Sequence, residues 1–131
     1  MINFFSKYKI IFYLSNLILI SLYLFPCSIL GLIINKNCKL QPQLTPDFII
    51  STNHLYAFLI LSLIGFLTYK ELDKIRILSI YLIIVSIILE LMHKFIPDRS
   101  FEYPDLFGNL VGVIIIIILF NLFKKYENIK N

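Results

Sequence analysis

The chain has 131 residues, of which 59% are hydrophobic and only 15% charged, and its mean hydropathy is +0.85. A water-soluble domain carries about 25% charged residues, and one this small has too little interior to hide the apolar excess. The composition therefore excludes an ordinary soluble domain. The net charge of +4 sits at the ends of apolar runs, so it reads as membrane orientation rather than nucleic-acid binding.

Four apolar runs follow one another, at about 10–34, 52–69, 75–96 and 106–123. Each is near the ~20 residues that carry a helix across a bilayer core of ~30 Å. Runs such as Val111 to Phe120 do not alternate in polarity, which disfavours a β-barrel, and an open sheet would leave backbone groups unpaired in lipid. The expectation is one all-α domain over residues 1–131, an integral membrane four-helix bundle.

The first run, Ile10 to Ile34, is too long for the core of a cleaved signal and reads as an uncleaved anchor with a kink at Pro26. Cys27 and Cys38 lack any CxxC or Cys/His spacing and read as unpaired, since a bridge between them would need Cys27 close to the membrane edge. The second run is the shortest. Thr45-Pro46-Asp47 has the residues of a helix start, so this helix could begin there.

Orientation rests on Lys and Arg. With the N-terminus in the cytoplasm, the inner side holds Lys7, Lys9, Lys70, Lys74, Arg76, Lys124, Lys125 and Lys130. The outer side holds Lys36, Lys39, Lys94 and Arg99. This bias places both termini in the cytoplasm.

Between the third and fourth runs lies "LELMHKFIPDRSFEYPDLFGNLVG", unlike its surroundings. Glu90 and His93 are three apart and share a helix face. A carboxyl at the depth of Glu90 costs about 2.5–3.5 kcal/mol in lipid unless it is paired. Asp105, Asn109 and Gly112 share one face of the fourth run, and Gly108 with Gly112 forms a small-xxx-small pair for close helix packing. His54 opens the second run at the same level. Arg99, the one arginine on the outer side, has a planar fork that could hold Glu90 and Asp105 together or receive a phosphate. The expected binding residues are thus His54, Glu90, His93, Arg99, Asp105 and Asn109.

Two motifs carry a resemblance. Glu90-x-x-His93-x-Phe95-x-Pro97-Asp98-Arg99, followed by Asp105-x-x-x-Asn109-x-x-Gly112, resembles the VanZ-like family of small membrane proteins. The likeness is strongest over residues 53–112. Their shared pattern has a Glu, a Gln, a Phe and a Pro-Gly-Arg turn, then Asp, Asn and Gly at these intervals. Here His93 replaces the Gln and Asp98 the turn Gly. Ile50 and Ser51 stand where an Asp-Lys often precedes the His, and Ile116 where a second Gly often follows. The resemblance implies a bacterial cytoplasmic-membrane protein of the envelope, in a family whose named member is linked to teicoplanin resistance.

The functional expectation is a non-enzymatic envelope protein. Its outward-facing polar pocket would bind a membrane lipid headgroup, a lipid-linked cell-wall precursor or a partner. The alternative is a small intramembrane hydrolase or transferase acting on a phospho- or acyl-lipid, with Glu90 as base. The bland reading of the same residues is helix packing and a turn-closing ion pair. No cofactor is expected. His54, Glu90, His93 and Asp105 could chemically hold a metal, but none is expected, because a ligand motif such as HExxH is missing. Self-association is compatible with either reading.

Overall fold

The structure is a computed structural model that describes residues 4–69 and 71–130, with side chains from residue 8 onward. Lys70 and the side chain of Lys7, both counted above as inner cations, lie outside the described residues. Every regular element described is helical: α1 (Phe4–Leu24), α2 (Ile29–Asn35), α3 (Thr52–Thr68), α4 (Leu72–Met92), a 3₁₀ turn (His93–Phe95) and α5 (Tyr103–Lys130). α4 with its 3₁₀ extension and α5 are each long and apolar enough to cross a membrane. α1 and α2 make a third such unit if the bent pair is one span, and α3 is a shorter apolar helix.

The first run departs from the expected kinked span. α1 stops at Leu24, and α2 restarts at Ile29 after a bend of 82°. Pro26 has no N–H to continue the helix, and it biases Phe25 away from helical geometry. Cys27 then takes a φ of 90°, in the left-handed region. Ser28 restarts the helix by accepting the Gly31 N–H on its side chain at 3.0 Å. Cys27 and Cys38 are not free. They form a disulfide with a Cα–Cα distance of 5.5 Å. The Ser28 N–H donates to the Cys38 carbonyl at 3.0 Å, and Lys36 ends α2 in the left-handed conformation. The chain thus folds back on α2 instead of continuing outward. Gly31 makes room for the return, because a Cβ there would meet the Leu40 carbonyl at 1.7 Å.

α3 begins at Thr52, not at Thr45. Asp47 caps it from outside instead, accepting the Thr52 N–H at 2.8 Å, where the helix dipole favours an anion. α4 begins at Leu72 and α5 runs on to Lys130, longer than their expected spans. His93 leaves α4 and heads the 3₁₀ turn.

α1, α3, α4 and α5 pack side by side, and α3 and α5, which start at the same end, run parallel. At one end Tyr23 of α1 meets His54 of α3 and His93. At the other, Phe12 meets Tyr69 and Phe66 meets Phe120. Asn16 donates to the Tyr81 hydroxyl, tying α1 to α4. The closest pair is α3 and α5, where glycines replace side chains. A Cβ on Gly108 would stand 2.5 Å from the Ser51 carbonyl oxygen, and one on Gly112 2.5 Å from that of Leu55.

Polarity is distributed opposite to that of a soluble bundle. Ser62, Ser86, Glu90 and Asn109 are wholly buried. Ile77, Ile80, Ile84 and Ile88 form an outward stripe along α4, with Ile77 68% exposed. An apolar surface of this extent requires an apolar solvent or a partner.

Two outcomes test this architecture. Gly112→Ala is expected to destabilise the protein by about 1–3 kcal/mol through overpacking at Leu55 and Leu59, read by thermal or SDS-driven unfolding in micelles. A thiol reagent added to the detergent-solubilised native chain is expected to label Cys27 and Cys38 only after reduction. Labelling without reductant would break the assigned bridge.

Candidate functional site

The end of the bundle that holds the α3 and α5 N-termini gathers most of the buried polar groups. Ser51, just before α3, donates its N–H to the Pro104 carbonyl at 3.0 Å, which aligns the starts of α3 and α5. Gly108 permits the same approach one turn further on. With these backbones close, His54 and Asn109 come within hydrogen-bond distance, Nδ1 to Oδ1 at 3.1 Å.

Asn109 organises what surrounds it. The Ser86 carbonyl can only accept, so the Asn109 amide nitrogen faces α4 and donates to it at 3.2 Å. Oδ1 therefore faces α1 and α3, and it accepts the Tyr23 hydroxyl hydrogen at 2.6 Å. Tyr23 has then spent its only hydrogen. Its oxygen lies 3.0 Å from His54 Nδ1, so that nitrogen must carry a hydrogen, directed between the two oxygens. In the neutral ring the lone pair falls on Nε2, which faces Asp105 Oδ2 at 3.4 Å.

Glu90 is fully buried, with its two oxygens in different surroundings. Oε1 accepts the Glu102 backbone N–H at 3.1 Å and contacts His93 Nδ1 at 3.3 Å. Oε2 has no hydrogen-bond partner among the described residues and lies 3.7 Å from His54 Nδ1. His93 stacks on Tyr23 and donates its Nε2–H to the Tyr23 carbonyl at 3.2 Å.

Arg99 does not bridge Glu90 and Asp105, one of the two roles its fork suggested. It donates to main-chain carbonyls instead: Leu22 at 3.3 Å, Cys27 at 2.8 Å and Phe25 at 3.4 Å. Pro26 is the cause. The helical partner of the Leu22 carbonyl would be the N–H of residue 26, which proline lacks, so α1 ends with exposed acceptors. Arg99 and His93 supply the missing donors. Burial lowers the Arg99 pKa from its ordinary value, while Tyr23, Asp105 and Glu90 pull it back up; a guanidinium stays charged throughout.

Of the six expected residues, His54, Glu90, His93, Asp105 and Asn109 thus form one contact network, and Arg99 stands at its edge facing α1. Sequence reasoning missed Tyr23, the Ser86 carbonyl and the Glu102 N–H. Tyr23 had a signal: it lies three residues before Pro26, at the same end of the bundle as His54.

Two cavities open beside the network. A polar one of about 400 Å³ has Lys39, Asp98, Glu102 and Asp105 in its wall. A largely apolar groove of about 430 Å³ runs between α1, α2 and α3 past Leu19, Leu30, Ala57 and Ile60. They adjoin, with Ser28, Gln41, His93 and Arg99 common to both walls. No protein family, curated protein or solved structure matched this chain when it was compared with them.

Removing the organiser should cost stability. Asn109→Leu leaves the Ser86 carbonyl without the Asn109 donor and the Tyr23 hydroxyl hydrogen without its acceptor, at about 1–3 kcal/mol for each group that stays buried and unpaired. The expected result is a lower melting temperature in detergent than for wild type; an unchanged melting temperature would refute the network's role in holding the site.

Proposed function

We propose that the chain is an integral membrane protein of a bacterial envelope that binds an amphiphile. The polar headgroup occupies the cavity beside Asp105, and the lipid tail lies in the groove between α1, α2 and α3. The ligand class is a membrane lipid or a lipid-linked envelope precursor. The observation that carries this reading is the junction of the two cavities. A polar chamber that shares its wall with an apolar groove matches a molecule with one charged end and one apolar chain.

The membrane reading draws on the apolar helices and their outward isoleucines. We read α1, α3, α4 and α5 as four spans of a bundle. α3, with 17 residues, covers about 25 Å at 1.5 Å per residue, so its site end lies below the level of a full span. α2, bent by 82° from α1, then runs nearly along the membrane plane. Two independent features support placing both termini in the cytoplasm and the site outside. One is the excess of Lys and Arg on the other side of the membrane. The other is the Cys27–Cys38 bridge at the site end, since disulfides persist in oxidising compartments.

The VanZ-like resemblance supports an envelope role. Asp98, which stands where that pattern has its turn Gly, adopts a φ of 58°. Gly is the usual residue for that conformation and Asp one of the few others that tolerate it. The turn is closed by the Arg99 N–H donating to the Ile96 carbonyl at 3.3 Å.

Blocking the groove is the test. Native mass spectrometry of the wild type from mild detergent is expected to show a copurifying lipid or lipid-linked molecule. Ala57→Trp fills the groove wall and is expected to lose it with helix content unchanged. A ligand retained in the variant, or none in the wild type, would sink the proposal.

A further inference from the structure

We propose that His54, Glu90 and Asp105 form a binding site for a divalent first-row metal ion, with zinc and manganese as the fitting ions. A nitrogen of His54 and one carboxylate oxygen from each acid all lie within 4.8 Å of one another. Small side-chain rotations bring such a set to the ~2.0–2.2 Å ligand distances of zinc.

The hydrogen-bond network is the stronger argument. Nδ1 of His54 carries a hydrogen, fixed by Asn109 and Tyr23. Nε2 therefore presents a lone pair to Asp105 Oδ2 at 3.4 Å. Two acceptors facing each other at that distance repel unless something positive lies between them. Glu90 adds a third electron-pair donor in Oε2, on a side chain with 0% exposure and with no hydrogen-bond partner among the described residues. Leaving such an oxygen unpaired is expensive. A proton answers one pair of atoms, whereas one cation answers all three.

The surroundings have the form that metal sites take. A ligating histidine usually donates its other ring N–H to an acceptor that fixes its orientation. Asn109 Oδ1 does this for His54 and is itself held by Ser86. The other Glu90 oxygen is held by the Glu102 N–H. One imidazole nitrogen with carboxylate oxygens suits zinc or manganese. Three protein ligands leave a further position open. Asp105 also lines the polar cavity, so that position faces the chamber. The ligands come from three different helices, which is why no local sequence motif announces them.

This inference goes beyond the amphiphile reading and does not depend on it. The test is metal content. The full chain, purified in mild detergent without a histidine tag, is loaded separately with zinc chloride and manganese chloride, dialysed, and read by elemental mass spectrometry. Wild type is expected to keep about one ion per chain, and EDTA to lower its melting temperature. Asp105→Asn, altered at the rim of the cluster, and Glu90→Gln are expected to bind at least about tenfold more weakly. Circular dichroism checks that they are folded. A wild type that retains neither ion overturns the proposal, whatever the variants do, as does equal retention by folded Asp105→Asn. Metal without a copurifying lipid leaves this inference standing and removes the other, and lipid without metal does the reverse.

Discussion

The approach of α3 to α5 is the constraint on which the rest of the molecule depends. Two glycines one turn apart let the α5 backbone lie against the carbonyls of Ser51 and Leu55. Nothing in lipid drives helices together as water does, so packing at short range has to supply the attraction. That closeness brings His54 within reach of Asn109, and Asn109 in turn reaches Tyr23 on α1 and Ser86 on α4. One amide thus joins four helices. The glycines hold the backbones, and the amide sets which way each polar group points.

The break in the first run shows a second economy. Proline ends α1 and leaves carbonyls that a helix would have used. Those carbonyls become the anchor for Arg99 and His93, which arrive from the connection between α4 and α5. A local fault in one helix is therefore the means by which a distant turn is fixed. The same turn carries the Glu102 N–H to Glu90, so the buried carboxylate and the end of α1 are held by neighbouring parts of one short segment.

Much of this was legible in the sequence, and the remainder was hidden for physical reasons. Apolar run length announced α3, α4 and α5 but not the break between α1 and α2, and the i, i+3 spacing of Glu90 and His93 was read as one helix face, whereas His93 heads the 3₁₀ turn. Gly108 and Gly112 were read as packing residues, and a Cβ on either would meet the backbone of Ser51 or Leu55. The disulfide was not legible, because Cys27 lay inside what read as a continuous span and no spacing rule joins it to Cys38. Tyr23 was one of eight tyrosines, and only the fold shows which of them faces the interior. Arg99 was read as a partner for carboxylates or a phosphate, and the carboxylates are visible in a sequence. Unpaired backbone carbonyls are not, although Pro26 is the residue that creates them.

The bridge between Cys27 and Cys38 has a consequence for how the protein matures. Its two cysteines, with Ser28, form part of the cavity wall, and the Cys27 carbonyl is one of the acceptors that hold Arg99. With the site end facing an oxidising compartment, as proposed, that wall closes only after the segment has been delivered across the bilayer and met an oxidant. A newly inserted chain then has its helices before it has its chamber. The order of biogenesis keeps the binding site unfinished until the protein has reached the side of the membrane where its ligand would be.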